Sequence, residues 1–201
     1  NVMLCARREA ELPRAVEEIK AATGRPPASP VVDITKAADI ERLVAATVSA
    51  FGGVFALVNN SGGPPAGTFD QFDDAAWQSA FELNLLAYIR TTRAVLPHMR
   101  KAGGGRIVNF SSSVLGLQLE GYGIYSATKA AVEMLTAVLS KELRGRAITV
   151  NTVAPGPTAT DLFFRGKSDE LIERMAKMNP MERLGTPEDI AGAVAFLAGP
   201  D

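Results

Sequence analysis

With 201 residues, 47% of them hydrophobic and 21% charged, the chain has the composition of one compact domain, long enough to bury about 70% of its unfolded surface. A net charge of -1 supplies no basic field for nucleic acid, and a single cysteine, Cys5, excludes an internal disulfide and, with His98 the only histidine, leaves too few ligands for a common zinc site. No apolar run approaches the roughly 20 residues of a bilayer span and no charged-then-apolar leader opens the chain, so a cytoplasmic protein with no membrane partner is expected.

In chain order, the first predicted strand is Val2 to Ala6, followed at once by Arg7 and Arg8 and by an amphipathic helix from Glu9 to Ala21. Pro26, Pro27 and Pro30 mark the turn into a second strand, Val31 to Ile34, and a second amphipathic helix runs from Ala37 to Ala50. The third strand, Val54 to Val58, leads into Asn59-Asn60-Ser61-Gly62-Gly63. A long helix then spans Asp73 to Lys101, with Pro97 near its end, and Gly103 to Gly105 form the loop to a fourth strand, Arg106 to Phe110. Three serines, Ser111, Ser112 and Ser113, close that strand. The next helix, Tyr125 to Arg144, ends at Gly145, which reads as its C-cap, and the fifth strand is Ile148 to Val153.

These strands are short and almost continuously apolar, the pattern of strands covered on both faces. Their alternation with helices implies parallel strands joined by right-handed crossovers, hence an α/β fold with a doubly wound, Rossmann-like parallel sheet. Ligands in such sheets bind beyond the carboxyl ends of the strands, where the unusual polar residues of this sequence fall: Asp33, Asn59 to Gly63, the serine triplet, and Asn151 to Thr160. The chain opens on a strand and stops just after an apolar helix, at Gly199-Pro200-Asp201. It therefore reads as the interior of a longer domain.

The densest chemistry lies in Tyr125-Ser126-Ala127-Thr128-Lys129. A phenol and an ammonium four residues apart share one helix face, so the charge is expected to lower the phenol's pKa from its reference value near 10. A serine hydroxyl beside that phenol would hold a carbonyl oxygen while a proton moves, as reduction of a C=O requires. Alone, the Tyr-x-x-x-Lys spacing also describes a lysine snorkelling past a half-buried ring. Asn84, among Trp77, Phe81, Leu85 and Leu86, is a poor helix residue and costly to bury unpaired. Pro155-Gly156-Pro157-Thr158-Ala159-Thr160 is a rigid turn in which prolines fix φ and glycine permits close approach of the backbone. His98 has no Gly-x-Ser-x-Gly context and is read as a surface or helix-end residue.

Ser112 lies thirteen residues before Tyr125, and this strand-Ser-Tyr-x-x-x-Lys arrangement resembles the short-chain dehydrogenase/reductase family. A loop shorter by one residue would give the serine's role to Ser113. The resemblance implies that Tyr125 is the general acid, that Lys129 acidifies it and grips the nicotinamide ribose, that Ser112 binds the substrate oxygen, and that Asn84 holds a water relaying protons to the lysine. It further implies that Asn60, Ser61 and Gly62, in place of the family's Asn-Ala-Gly, let the backbone approach the adenosine ribose. Asp33 and Ile34 stand for an adenine-contacting Asp-Val pair, and Pro155, Gly156, Thr158 and Thr160 for the turn along the nicotinamide. An NAD enzyme places Asp or Glu at the end of the strand where Ala6 stands; with Arg7 next, NADP(H) is the cofactor expected. The family's Gly-x-x-x-Gly-x-Gly phosphate turn, its first strand-helix unit and its last strand are absent from these 201 residues.

The substrate expected is a small carbonyl compound or alcohol. Leu162-Phe163-Phe164, followed by Arg165-Gly166-Lys167, reads as a mobile apolar lid, and the stretch from Asp161 to Gly185 with Pro187-Glu188-Asp189 is similar to members described as 3-oxoacyl-(acyl-carrier-protein) reductase-like. By resemblance a homodimer or homotetramer is expected, through the long helix and the Tyr-Lys helix. The alternative reading is a non-catalytic member that keeps the fold as an interaction or regulatory module with weakened cofactor binding.

Overall fold

A computed structural model describes residues 1–199; the last two positions of the expected terminal Gly-Pro-Asp stretch lie outside the described residues. Three parallel strands, β1 (Ala56–Asn59), β2 (Gly105–Phe110) and β3 (Ile148–Val153), form a sheet in the order β1-β2-β3. The register pairs Asn59 with Asn109 and Asn109 with Thr152, so the carboxyl ends of all three strands finish together. The helices are α1 (Leu12–Thr23), α2 (Ala37–Phe51), α3 (Asp74–Phe81), α4 (Ala87–Ala102), α5 (Val114–Leu117), α6 (Gly123–Glu142), α7 (Asp161–Phe164), α8 (Asp169–Lys177) and α9 (Pro187–Ala198). None of the described helices is long and apolar enough to cross a membrane.

Alternation along β2 sorts the layers. Ile107 joins Val95 and Met99 of α4, Ile40 and Val44 of α2, and Ile148 and Val150 of β3 in the main core cluster. Arg106, pointing to the opposite face, donates from Nε to the Gly199 carbonyl at the end of α9 (2.8 Å). Val108, on that same face, is fully buried. β1 departs from the expectation of strands covered on both faces: Val58, paired with Val108, is 42% exposed.

The first two expected strands take a weaker form. Val2 to Ala6 runs parallel to a segment that begins at Ala28, earlier than Val31, through bridges Met3–Ala28 and Ala6–Val31, and among the described residues neither segment belongs to the β1-β2-β3 sheet. The bonds that are made run Ala28 N to Val2 O (3.1 Å), Leu4 N to Ala28 O (2.7 Å) and Val32 N to Ala6 O (3.0 Å). Between Ala28 and Val32 the next donor in the parallel pattern is residue 30, a proline with no N–H, so the ladder skips a rung and no continuous strand forms.

The helix boundaries follow local chemistry. Asp73 caps α3 by accepting from Ala76 N (2.8 Å), and Thr186 with Asp189 makes a capping box before Pro187. The helix expected from Asp73 to Lys101 is continuous but contains a π-helical turn at Glu82–Leu86, with Asn84 at its centre. Helix α6 begins two residues before Tyr125 and ends at Glu142 with Leu143 as its cap, not at Gly145; Gly145 (φ 77°) instead makes the turn that follows.

Candidate active site

Beyond the carboxyl ends of the three strands lies a cleft of about 560 Å³, lined by Asn60, Gly62, Ser112, Tyr125, Lys129 and Gly156 among others. Ser111 and Ser113, Pro155, Thr158 and Thr160 also face it, as do Leu162, Phe163 and Lys167 of the expected lid. The structure thus gathers most of the residues singled out in the sequence at one place. Arg7, Asp33 and Ile34 stand apart from it, and Ser61 and Asn84 are not among its lining residues. Asp33 accepts from Thr35 N (3.0 Å) and Thr35 Oγ1 (2.7 Å), which hold its carboxyl below the usual range, with the Lys36 and Arg7 charges acting in the same direction. Ile34 packs against the cluster of Leu85, Ala87, Tyr88 and Val132.

The serines separate cleanly. Ser111 Oγ donates to Glu133 Oε1 of α6 (2.7 Å) and is buried, so it ties β2 to that helix. Ser113 N donates to the Pro155 carbonyl (3.0 Å), joining the end of β2 to the Pro-Gly-Pro turn. Ser112 Oγ accepts from Val114 N (3.3 Å) and lowers the Tyr125 phenol against the effect of burial; like Ser111 and Ser113, it lines the cleft.

The tyrosine and lysine differ from expectation in one respect. Burial pushes the Tyr125 phenol above its ordinary value of 10, and the Ser112 hydroxyl only partly opposes this. Burial thus outweighs the expected acidification by Lys129, whose Nζ donates to the Phe110 carbonyl (2.7 Å), at the end of β2, and lies 5.6 Å from the Tyr125 ring centre. Lys129 is only 2% exposed, and desolvation drives its pKa down to about 8.

Asn84 has no exposed surface and spends its amide on one backbone unit: Gly63 N donates to Oδ1 (3.1 Å) and Nδ2 donates to Gly63 O (3.3 Å). The π turn brings this side chain against the loop, a frequent use of such turns at functional sites. Gly62 shows how closely the parts fit. Its φ is 149°, and a Cβ there would sit 2.5 Å from Asn84 Oδ1 and 3.6 Å from Lys129 Nζ. Only glycine fits, and the backbone of the turn is thereby left bare toward the cleft.

Sequence reasoning did not single out Tyr88 or Asn109. Asn109 lies at the centre of a buried ladder: Thr91 Oγ1 donates to Asn59 Oδ1 (2.7 Å), Asn59 Nδ2 to Asn109 Oδ1 (2.9 Å), and Asn109 Nδ2 to Thr136 Oγ1 (2.9 Å). It stitches α4, β1, β2 and α6 together directly beneath the cleft. An asparagine inside an apolar strand was the available signal, of the kind that marked Asn84. For Tyr88 the signal was its spacing of four residues from Asn84, which places both on one helix face.

Over residues 1–201 the chain matches the family model described as Enoyl-(Acyl carrier protein) reductase. It is 44% identical over 168 residues to a short-chain type dehydrogenase/reductase of Picea abies, covering 83% of this chain and 62% of that protein. It is 37% identical over 170 residues to the 3-oxoacyl-(acyl-carrier-protein) reductase FabG of Vibrio cholerae, covering 85% and 69% respectively. Among solved structures, that of an actinorhodin polyketide ketoreductase variant with NADPH superimposes with a TM-score of 0.92 at 34% identity, covering 99% of this chain and 80% of that one. The chain therefore spans a little under two thirds of the spruce relative's length and about 70% of the Vibrio one.

Proposed function

Because the chain belongs to the short-chain dehydrogenase/reductase family, we propose that it serves reversible hydride transfer between NADP(H) and a ketone, an aldehyde or a secondary alcohol, with a 3-oxoacyl thioester as one candidate substrate. The observation that carries this reading is the convergence of Ser112, Tyr125 and Lys129 on one cleft bounded by the bare Gly62 turn. When bound, the nicotinamide supplies the hydride.

The residues present fit that group. The Gly62 backbone cannot accept a side chain, Asn60, Pro155 and Gly156 line the cleft, and Lys129 adds a buried cation to that lining. Tyr125, Lys129, Pro155, Gly156, Thr158 and Thr160 would hold the nicotinamide end, and the backbone at Asn60 and Gly62 would pass close to the adenosine ribose. Arg7, Asp33, Ile34 and Ser61 belong to the adenosine end in this reading, with Arg7 meeting the 2′-phosphate, and the Arg7 charge already reaches Asp33.

Tyr125 is the proton donor in this proposal. The phenol is protonated at neutral pH and so carries the proton for a carbonyl oxygen during reduction; burial opposes its release and the Ser112 hydroxyl favours it. Ser112 orients that oxygen beside the phenol, and Lys129, with a pKa of about 8, is mostly cationic at pH 7 and supplies positive charge on the same side. Asn84 acts through the Gly63 backbone, keeping the turn and the lysine in register. The apolar wall of Leu117, Leu119, Leu162 and Phe163 favours a substrate with a hydrophobic body.

The test is NADPH oxidation, followed by absorbance, against a panel of aldehydes, ketones and 3-oxoacyl thioesters, with Tyr125→Phe as control. Removing the general acid should cost about 10²- to 10⁴-fold in kcat with the fold retained. A Tyr125→Phe protein with wild-type rates removes the tyrosine from the mechanism. Failure of the wild-type chain to bind NADPH would favour the non-catalytic module.

A further inference from the structure

The phenol that touches the Lys129 ammonium is Tyr88. Lys129 Nζ lies 4.8 Å from the centre of the Tyr88 ring and 3.4 Å from its hydroxyl oxygen. The Tyr88 hydroxyl in turn donates to the Ser61 carbonyl at 2.7 Å, and the residue is 4% exposed. Four residues earlier on the same helix face, Asn84 binds the Gly63 backbone from both sides of its amide. One face of the π turn and α4 therefore grips the Ser61-Gly62-Gly63 turn at two points, and the second grip also contacts the lysine.

We propose that Tyr88 is a positioning residue of this site: its ring and hydroxyl hold the Lys129 ammonium and fasten the Asn60-Ser61-Gly62 turn, so that the buried cation and the cofactor-facing backbone stay in one arrangement. The inference rests on the function proposed above for the cleft. The division of labour within the phenol is chemical. Its single hydrogen is committed to Ser61 O, which leaves the oxygen lone pairs for the ammonium, while the negative face of the ring attracts the same charge. Burial pushes the Tyr88 phenol well above its ordinary range, so it remains a neutral O–H and never forms a quenching ion pair with the lysine.

The groups facing Lys129 from each packed element are the Phe110 carbonyl of β2, Tyr88 of α4 and Tyr125 of α6, with neutral Asn84 beyond Gly62. Glu133, one turn further along α6, is engaged by Ser111. Tyr88 is thus the principal side chain supporting the cation before any ligand arrives.

The experiment follows the Lys129 titration directly, by NMR of protein carrying lysine labelled at Cε, without cofactor, the Lys129 signal being assigned by its loss in Lys129→Met. Tyr88→Phe removes only the hydroxyl and should lower the titration midpoint by about half a pH unit; Tyr88→Leu also removes the ring and should lower it by about one unit or more. In parallel, the KM for NADPH should rise about threefold or more in Tyr88→Phe as the Ser61 carbonyl loses its donor. A midpoint unchanged in Tyr88→Phe, whatever happens to the melting temperature, overturns the proposal and leaves Tyr88 a packing residue. Should Tyr88→Leu not fold, Tyr88→Phe decides alone. If the midpoint moves as expected but no carbonyl substrate turns over in the wild type, the positioning role stands and the functional reading fails.

Discussion

Replacing Lys129 by methionine should strengthen the fold at neutral pH while abolishing the proposed activity. Burial lowers the lysine from 10.5 to about 8, and at about 1.4 kcal/mol per pH unit keeping the charge inside costs on the order of 3 kcal/mol below pH 8. Methionine is close in length and apolar, but it leaves the Phe110 carbonyl without its donor, which returns about 1–2 kcal/mol of that gain. A net stabilisation of about 1–2 kcal/mol at pH 7 is therefore expected. The pH dependence gives the sharper test. Between pH 8 and 10.5 the unfolded wild-type chain still binds a proton that the folded chain has released, so wild-type stability gains from this group as pH rises through that window. The variant has no such term. Its advantage should hold steady below pH 8, shrink above it, and reverse toward pH 10. Comparing the two proteins at each pH cancels the opposing contribution of the tyrosines with raised values. Urea unfolding of both cofactor-free proteins at pH 6.5, 8, 9 and 10 measures it. A variant less stable than wild type at pH 6.5, or a gap that does not change with pH, refutes the assignment of a strained, buried charge.

Gly62→Ala should destabilise by about 1–3 kcal/mol in urea, since the glycine's φ of 149° and the 2.5 Å approach of a Cβ to Asn84 Oδ1 both oppose a side chain; unchanged stability would show that the turn is not held as described. Asn109→Ala breaks the ladder in the middle, leaving Asn59 Nδ2 and Thr136 Oγ1 short of a partner, and a loss of about 2–4 kcal/mol is expected. Thermal melts within a degree or two of wild type would mean the ladder contributes little. Arg7→Asp should reduce the ratio of kcat/KM with NADPH to that with NADH by about tenfold or more, on the order of 1.4 kcal/mol of discrimination. An unaltered ratio would remove Arg7 from cofactor choice.

Spacing along single helices and at strand ends was readable from the chain alone. The 3.6-residue period puts Tyr125 and Lys129 on one face wherever the helix lies, and the alternation of strands and helices puts Ser112, Asn60 and Pro155 at one sheet edge. The absence of an N–H at Pro30 is equally a sequence fact, and it explains why the Val2 to Ala6 pairing is broken into isolated bridges. What the helical period does not contain is the identity of a side chain's partner from elsewhere in the chain. Lys129 bonds a carbonyl 19 residues away and a phenol 41 residues away, while Tyr125, four residues away, receives no bond from it. That choice depends on how β2 and α4 are laid against α6, where Asn84 of the π turn and Tyr88 of α4 both bond the Ser61-Gly62-Gly63 turn. Which groups carry the chemistry followed from residue type and local period; which neighbour holds each of them was decided by long-range packing, because a buried hydrogen bond is satisfied by whichever partner the crossing elements bring within reach.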